Sequence, residues 1–306
     1  MGLREARAAV SLRLAHALPS SHPVHQAMEN FAELIVQRTQ GEVIIRIYAE
    51  GLLGQEPDLI QQVNAGQLDL TKASASVLGG VNPAYQVFDV PFLLRDNEHW
   101  QKVINGPIGQ DLLAHEAGPV LSLTFYDAGA RSFYGQLPIR QPQDLRGLKI
   151  RVQPSASTVR MIELLEAEPR PLPWGLVYSA LQVGLVDGAE NNITALIYGR
   201  HAQVAKYFSF TEHTMVPDVL LMSRRAWERL SGSQQDTLRS AAVESSLLQT
   251  ILWEQTESRS RLEAERMGIT FMHPDKAAFV AKLAPLKQEF AQRAGLAGLI
   301  AKIEQT

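Results

Sequence analysis

The chain of 306 residues contains no cysteine. That absence removes disulfides, thiolate metal ligands and thiol nucleophiles together. No window approaches the roughly 20 consecutive apolar residues that a membrane-spanning helix needs. Met1–Val10 (MGLREARAAV) is mixed and charged, without an apolar h-region, so it does not read as an intact signal peptide. A cytoplasmic chain and an exported chain whose leader lies outside this stretch both fit. An excess of positive charge is also missing. The formal net charge is -3, which gives no support for nucleic acid or an anionic membrane as partner. An anion bound here must be held by local geometry. There is no G-x-G-x-x-G or Walker loop, and Ser155-Ala-Ser157 lacks the glycines of a nucleophile elbow. His22 and His25 have H-x-x-H spacing, but no third ligand follows, and a Pro/Ser loop entering a helix is the plainer context. No catalytic group, metal or cofactor is expected.

What is present is the composition of a soluble globular protein, 45% hydrophobic and 20% charged. The length suggests about two domains. An alternating run at Leu12–His16, a helical pattern from Pro23 to Thr39 and the β-branched run Val43–Tyr48 make an α/β signature. Further strands are expected at Leu68–Thr71, Val120–Tyr126, Arg131–Gly135, Leu148–Val152, Leu185–Ala189, Met215–Met222 and Ile269–Met272. Helices are expected around Leu59–Val63, across Asn97–His115 with a break at Asn105–Pro107, and over Ser155–Ala167, Leu176–Val183 and Asp275–Ala294. Ser233–Met267 shows helical periodicity almost without a breaker, long by globular standards. No repeat or low-complexity linker separates two halves. The chain is therefore expected to cross between two α/β lobes more than once, with the long helix bracing both.

Arg131 and Arg151 stand in apolar surroundings between Asp127 and Asn192. A buried guanidinium must find an anion or suffer a heavy desolvation penalty, and its planar fork suits a carboxylate. Each arginine can pair with an internal carboxylate such as Glu190 or Asp187. Alternatively the pair forms a clamp for a ligand carboxylate, with Asn191 beside it. Spacing leaves both readings open. Trp174, after Pro171-Leu-Pro173, is either a core residue or an aromatic wall. The sequon Asn192-Ile-Thr194 falls inside this region and is discounted as a glycosylation site.

The runs Asp144-Leu-Arg-Gly-Leu-Lys-Ile-Arg-Val152, Val177-Tyr-Ser-Ala-Leu-Gln182 and Val186-Asp-Gly-Ala-Glu-Asn-Asn192 resemble the substrate-binding proteins of TRAP transporters, the DctP type. The likeness extends through Ala15-His16, His22-Pro23, Leu53-Gly54, Gly66-Gln-Leu-Asp69 and Val90-Pro-Phe92. It implies a two-lobed periplasmic-binding-protein-like α/β fold, with lobe I approximately 1–127 plus 214–253 and lobe II approximately 128–213 plus 254–306. It also implies a ligand carboxylate gripped by Arg151, with Asn191 and Arg131 nearby and Trp174 as a wall. Glu56, Lys72 and Ser74 then line the ligand's polar end. His213 and Asp218 lie where the second lobe rejoins the first and rank below these, and His16 ranks last.

The resemblance implies a periplasmic location, small and large TRAP membrane subunits as partners, and capture without catalysis. Ala17 and Ser74 stand where sialic-acid binders carry an asparagine and an acid. Glu56 accepts from hydroxyls and repels a second carboxylate, which favours a sugar monocarboxylate of uronate or aldonate type. A C4-dicarboxylate or other small organic acid, a ligand-sensing role, and an enzyme using Glu56 or His213 as general base are the alternatives.

Overall fold

The computed structural model of the chain describes residues 9–114 and 118–306. The reading of Met1–Val10 as lacking a leader core thus falls almost wholly outside the described residues, as does the helix end expected at His115.

Eleven strands are described in chain order: β1 (Val10–Ala15), β2 (Val43–Tyr48), β3 (Leu70–Ser74), β4 (Val120–Tyr126), β5 (Ala130–Gly135), β6 (Lys149–Val152), β7 (Glu168–Pro171), β8 (Gly188–Asn191), β9 (Tyr207–Met215), β10 (Asp218–Ser223) and β11 (Thr270–Met272). They form two mixed sheets, one ordered β2-β1-β3-β10-β4 and the other β11-β9-β5-β8-β6-β7. In the first, β1 runs parallel to β2 and β3. Parallel neighbours need crossovers, and the helices Pro23–Arg38 and Glu56–Asn64 supply them. β10 then returns antiparallel between β3 and β4. In the second sheet β6 lies parallel between β7 and β8, while β5 runs antiparallel to β8 and β9.

The chain passes between the sheets from β4 to β5 and back from β9 to β10. It spans them again through the helix Gly232–Arg266, whose 35 residues extend about 52 Å at 1.5 Å per residue. A capping box of Ser231 and Gln234 starts this helix. Its N-terminal half packs Leu238, Ala241 and Ala242 with Leu12 and Phe31 of the first half. Its far end buries Ala264 with Phe208 and Leu196 of the second. Midway, Gln249 Nε2 donates to the Asp127 carbonyl at 2.8 Å while its Oε1 accepts from Asp127 N–H at 2.8 Å. This pair ties the long helix to the β4–β5 crossing. The C-terminal helices Lys276–Ala291 and Leu296–Gln305 contribute Phe279, Phe290 and Ile303 to a core shared with Trp100 and Phe125 on one side and Ile150 and Ile162 on the other.

Several stretches differ from their sequence patterns, among them β9 and the helix Leu296–Gln305, neither of which the periodicity located. β7 carries two prolines (Glu168-Pro-Arg-Pro171) and lies where no strand is expected from the sequence. It lies at a sheet edge, where a missing N–H is tolerated. The strand expected at Leu185–Ala189 begins at Gly188 instead, because Val183 and Leu185 belong to a turn and are 75% and 53% exposed. Met215 closes β9 rather than opening β10, with Val216-Pro217 making the turn.

Candidate functional site

The ends of β3, β6, β8 and β10 meet at a cleft between the two sheets, enclosing about 740 Å³ of open space with its mouth included. Its lining includes Arg131, Arg151, Asn191 and Trp174 from one half, and Glu56, Lys72, Ser74 and Asp218 from the other. Eight of the nine residues expected at a ligand site therefore converge on one cavity. The ninth, His213, does not line it.

Arg131 is 4% exposed and fully answered from within. Its Nε and Nη2 donate to the Glu190 carboxylate at 2.6 and 2.7 Å, Nη2 also reaches the Glu190 carbonyl at 2.9 Å, and Nη1 donates to Asn191 Oδ1 at 2.9 Å. Glu190, not Asp187, is its partner; Asp187 accepts from the Lys149 N–H instead. Burial alone would raise the Glu190 pKa, but Arg131 overrides it and holds the carboxyl down to about 2. His213 stands behind this pair. It is 0% exposed, stacked on Phe133 at 4.6 Å, with Nε2 3.6 Å from Glu190 Oε2 and Nδ1 2.8 Å from Thr211 Oγ1. Burial lowers its pKa. His213 thus supports Glu190 rather than facing the cleft, because β9 directs it into the core.

The local backbone explains how two charged strands fit together. A Cβ on Gly188 would come within 2.7 Å of the Tyr134 carbonyl, and one on Gly135 within 2.5 Å of the Asp187 carbonyl. Only glycine lets β5 and β8 approach this closely at the Gly135–Gly188 end of their pairing.

Arg151 has no carboxylate. It is 2% exposed, and Nε and Nη2 share a single acceptor, the Leu172 carbonyl, at 2.9 and 2.7 Å. Nη1 has no partner. Burial lowers its pKa to about 10, which leaves it cationic at neutral pH. Among the described residues, only three buried side-chain polar atoms lack a hydrogen bond: Arg151 Nη1, His213 Nε2 and Trp253 Nε1. His213 Nε2 has the Glu190 carboxylate nearby. The other two belong to residues that line the cleft. A buried donor left unpaired typically costs about 1–3 kcal/mol, more when charged.

On the opposite wall Lys72 Nζ sits between Glu56 Oε1 and Asp218 Oδ1, each 2.9 Å away. Burial opposes its charge, but the two carboxylates more than offset this and raise its pKa. Ser74 donates its N–H to Glu56 Oε1 at 3.0 Å and its hydroxyl to Gln153 Oε1 at 3.2 Å. The second bond crosses from one half to the other. So does the bond from Gly175 N–H to Gln55 Oε1 at 3.1 Å, at a glycine whose Cβ would press on that side chain.

Trp174 is half-buried, its ring 5.1 Å from His201, and forms part of the wall rather than the core. His22 caps the helix Pro23–Arg38 by accepting from Val24 N–H at 3.2 Å. It also lines the cleft beside Tyr198 and Trp253. His25 is tied to His16 at 2.9 Å, and His16 lies outside the cleft lining. No group of residues suited to a metal ion occurs among the described residues. Asn192 accepts from Thr194 Oγ1 and Ala195 N–H. It is 8% exposed, so the sequon is a buried turn.

Sequence reasoning missed Gln153 and Trp253. Gln153 sits two residues after Arg151, the period that returns a strand's side chains to one face. Trp253 is the one aromatic residue of the long helix, and it sits 3.1 Å from where a Cβ on Gly129 would lie.

Two mixed α/β lobes, crossed by two strand connections and a spanning helix, around a cleft with an uncompensated cation, define a two-lobed solute-binding protein. The chain belongs to the bacterial extracellular solute-binding proteins of family 7, which it matches over residues 14–293. A TRAP periplasmic solute-binding protein from Xanthobacter autotrophicus Py2, solved with bound β-D-galacturonate, is 38% identical; the alignment covers 96% of this chain and 99% of that one, with a TM-score of 0.94. The corresponding protein from Roseobacter denitrificans, solved with bound β-D-glucuronate, is 34% identical over 97% of this chain and 99% of that one, with a TM-score of 0.93. The 2,3-diketo-L-gulonate-binding periplasmic protein of Escherichia coli K12 is 30% identical over 78% of this chain and 73% of its own length.

Proposed function

We propose that the protein captures a sugar monocarboxylate of the hexuronate type, such as D-galacturonate or D-glucuronate, and delivers it to TRAP membrane subunits from the periplasm. The observation that carries this reading is the buried guanidinium of Arg151, which has an open donor and no protein anion. A ligand carboxylate supplies the missing acceptor. Arg131 takes a different role: held by Glu190, it fixes Asn191, whose carbonyl is occupied and whose NH2 group remains to donate to the ligand.

Across the cleft, Glu56 and Asp218 offer carboxylate oxygens to hydroxyl donors, and Lys72 offers a donor to hydroxyl or ring oxygens. Two carboxylates on that wall repel a second acid group, which disfavours C4-dicarboxylates. Trp174 covers the apolar face of the sugar ring. The solved relatives with bound uronates support the same ligand class. The two lobes, taken approximately as 1–127 with 214–253 and 128–213 with 254–306, close over the ligand, and the Ser74–Gln153 and Gln55–Gly175 bonds hold them together. The role is capture without turnover, in keeping with a family of solute-binding transport components.

A thermal-shift screen of uronates, aldonates and C4-dicarboxylates tests this, because a ligand that binds the folded state raises apparent stability. D-galacturonate or D-glucuronate is expected to give the largest shift. Stabilisation by succinate or malate alone would overturn the sugar-acid reading, and turnover of the bound ligand would overturn capture.

A further inference from the structure

A second concavity, away from the cleft and sharing none of its lining residues, opens on the first sheet and encloses about 1030 Å³ of solvent-open space. Four arginines line it: Arg13, Arg46, Arg225 and Arg229. β1 and β2 are in register with Arg13 directly opposite Arg46, so both side chains leave the same face of the sheet. Like charges directly opposite each other are unfavourable in a sheet. Arg225 lies on the short helix Arg224–Trp227 and Arg229 in the turn just beyond it, so both arginines reach the hollow from one short stretch of chain. A repulsive cross-strand pair and two further arginines thus face one hollow.

One carboxylate lines this hollow, that of Asp69, and it is occupied. Its Oδ1 pairs with Arg229, and its Oδ2 accepts from the Arg13 N–H at 2.8 Å. The Arg13 guanidinium donates to the Gln67 carbonyl. Arg46 and Arg225 are exposed, and among the described residues no hydrogen bond or ion pair holds either guanidinium. Arg225 is nevertheless placed: its Cδ would lie 2.9 Å from a Cβ on Gly66, so its stem runs across that glycine toward the hollow. This concentration of positive charge occurs on a chain whose net charge is -3.

We propose that this concavity is a second binding site, for a phosphate group, held by Arg13, Arg46, Arg225 and Arg229. A single carboxylate would answer one guanidinium. A phosphate carries close to two charges near neutral pH and presents three equivalent oxygens, so it accepts forks from several arginines at once. The group comes either from a small soluble phosphate or from the headgroup of a membrane lipid.

The test is a calorimetric titration of inorganic phosphate and of pyrophosphate in phosphate-free buffer at low ionic strength. The wild-type protein is compared with the double variant Arg46→Ser, Arg225→Ser, whose guanidinium groups have no partner among the described residues to lose. Saturable binding is expected in the wild type and a roughly tenfold or larger weakening in the variant, as removal of two charge-assisted contacts implies. D-galacturonate binding and thermal stability are expected to be the same in both. Failure of galacturonate to bind either protein would count against the proposed function and leave the phosphate readout intact.

Co-sedimentation with phosphatidic acid vesicles, but not with phosphatidylcholine vesicles, would assign the phosphate to a lipid headgroup. Pyrophosphate binding without co-sedimentation would assign it to a soluble ligand. The proposal is overturned if neither phosphate nor pyrophosphate binds beyond the effect of sodium chloride at equal ionic strength, or if the double variant binds them like the wild type.

Discussion

Arg131 and Arg151 rise from strands on either side of β8, both almost completely buried, yet they are provided for in opposite ways. Arg131 meets Glu190 through two parallel hydrogen bonds and is complete without a ligand. Arg151 has one backbone carbonyl and an open donor. The first arrangement is architecture; the second is a built-in deficit that a ligand removes. The contrast teaches that burial of an arginine does not reveal its role. What its neighbours leave unsatisfied does.

The comparison breaks most easily at Arg131. Arg131→Ala leaves the Glu190 carboxylate buried and unpaired, so unfolding is expected to become easier by about 3–5 kcal/mol. Chemical denaturation without ligand checks this, and a variant as stable as wild type would deny the architectural role. Arg151→Lys is expected to behave in the reverse sense. Affinity for D-galacturonate falls about a hundredfold, roughly 3 kcal/mol, since a point charge replaces a fork. Stability without ligand is expected to change far less than in Arg131→Ala, because no buried carboxylate loses its partner.

Lys72→Met places Glu56 and Asp218 face to face without their cation. An intermediate loss of about 1–3 kcal/mol is expected, read as weaker sugar-acid binding that recovers partly at lower pH as one carboxyl protonates. The smallest effect concerns pH. Burial raises the carboxyls of Asp89 and Asp127 to about 6, above their unfolded value near 4. The folded state then holds more protons, so these groups lower stability as pH rises through 4 to 6 and their penalty is complete above 6. Glu190, held at about 2, works oppositely: its contribution is present above its unfolded value and is lost as pH falls toward 2. Burial also holds His16 and His201 down to about 3, and these groups add stability as pH rises to their unfolded value of about 6.5. Thermal melts should therefore climb from pH 3 to about 6.5 and level off above it. Stability rising steadily to pH 8 would contradict this balance.

Much of this was legible in the sequence. Periodicity located the crossover helices, the long helix and the strand bearing Arg151, because their apolar residues repeat cleanly. β7 escaped because its prolines mask an edge strand. At the site, motif resemblance brought eight of the nine residues into one cleft. It made Arg151 the anchor and Arg131 a neighbour but did not show why: the pairing of Arg131 with Glu190 depends on strand register, and register is a tertiary fact. His213 was misplaced for the same reason: which face of β9 it takes is set by packing on Phe133. Gln153 and Trp253 carry no motif and enter the cleft only through the fold around them.

The central claim is that a ligand carboxylate completes Arg151. Calorimetric titration of the wild-type protein with D-galacturonate and with its uncharged counterpart D-galactose tests it most directly. The acid is expected to bind at least about a hundredfold more tightly, the difference a charge-assisted bidentate contact of roughly 3 kcal/mol supplies. That preference should collapse in Arg151→Lys. Equal affinity for the two sugars, or a preference that survives the substitution, would contradict the account.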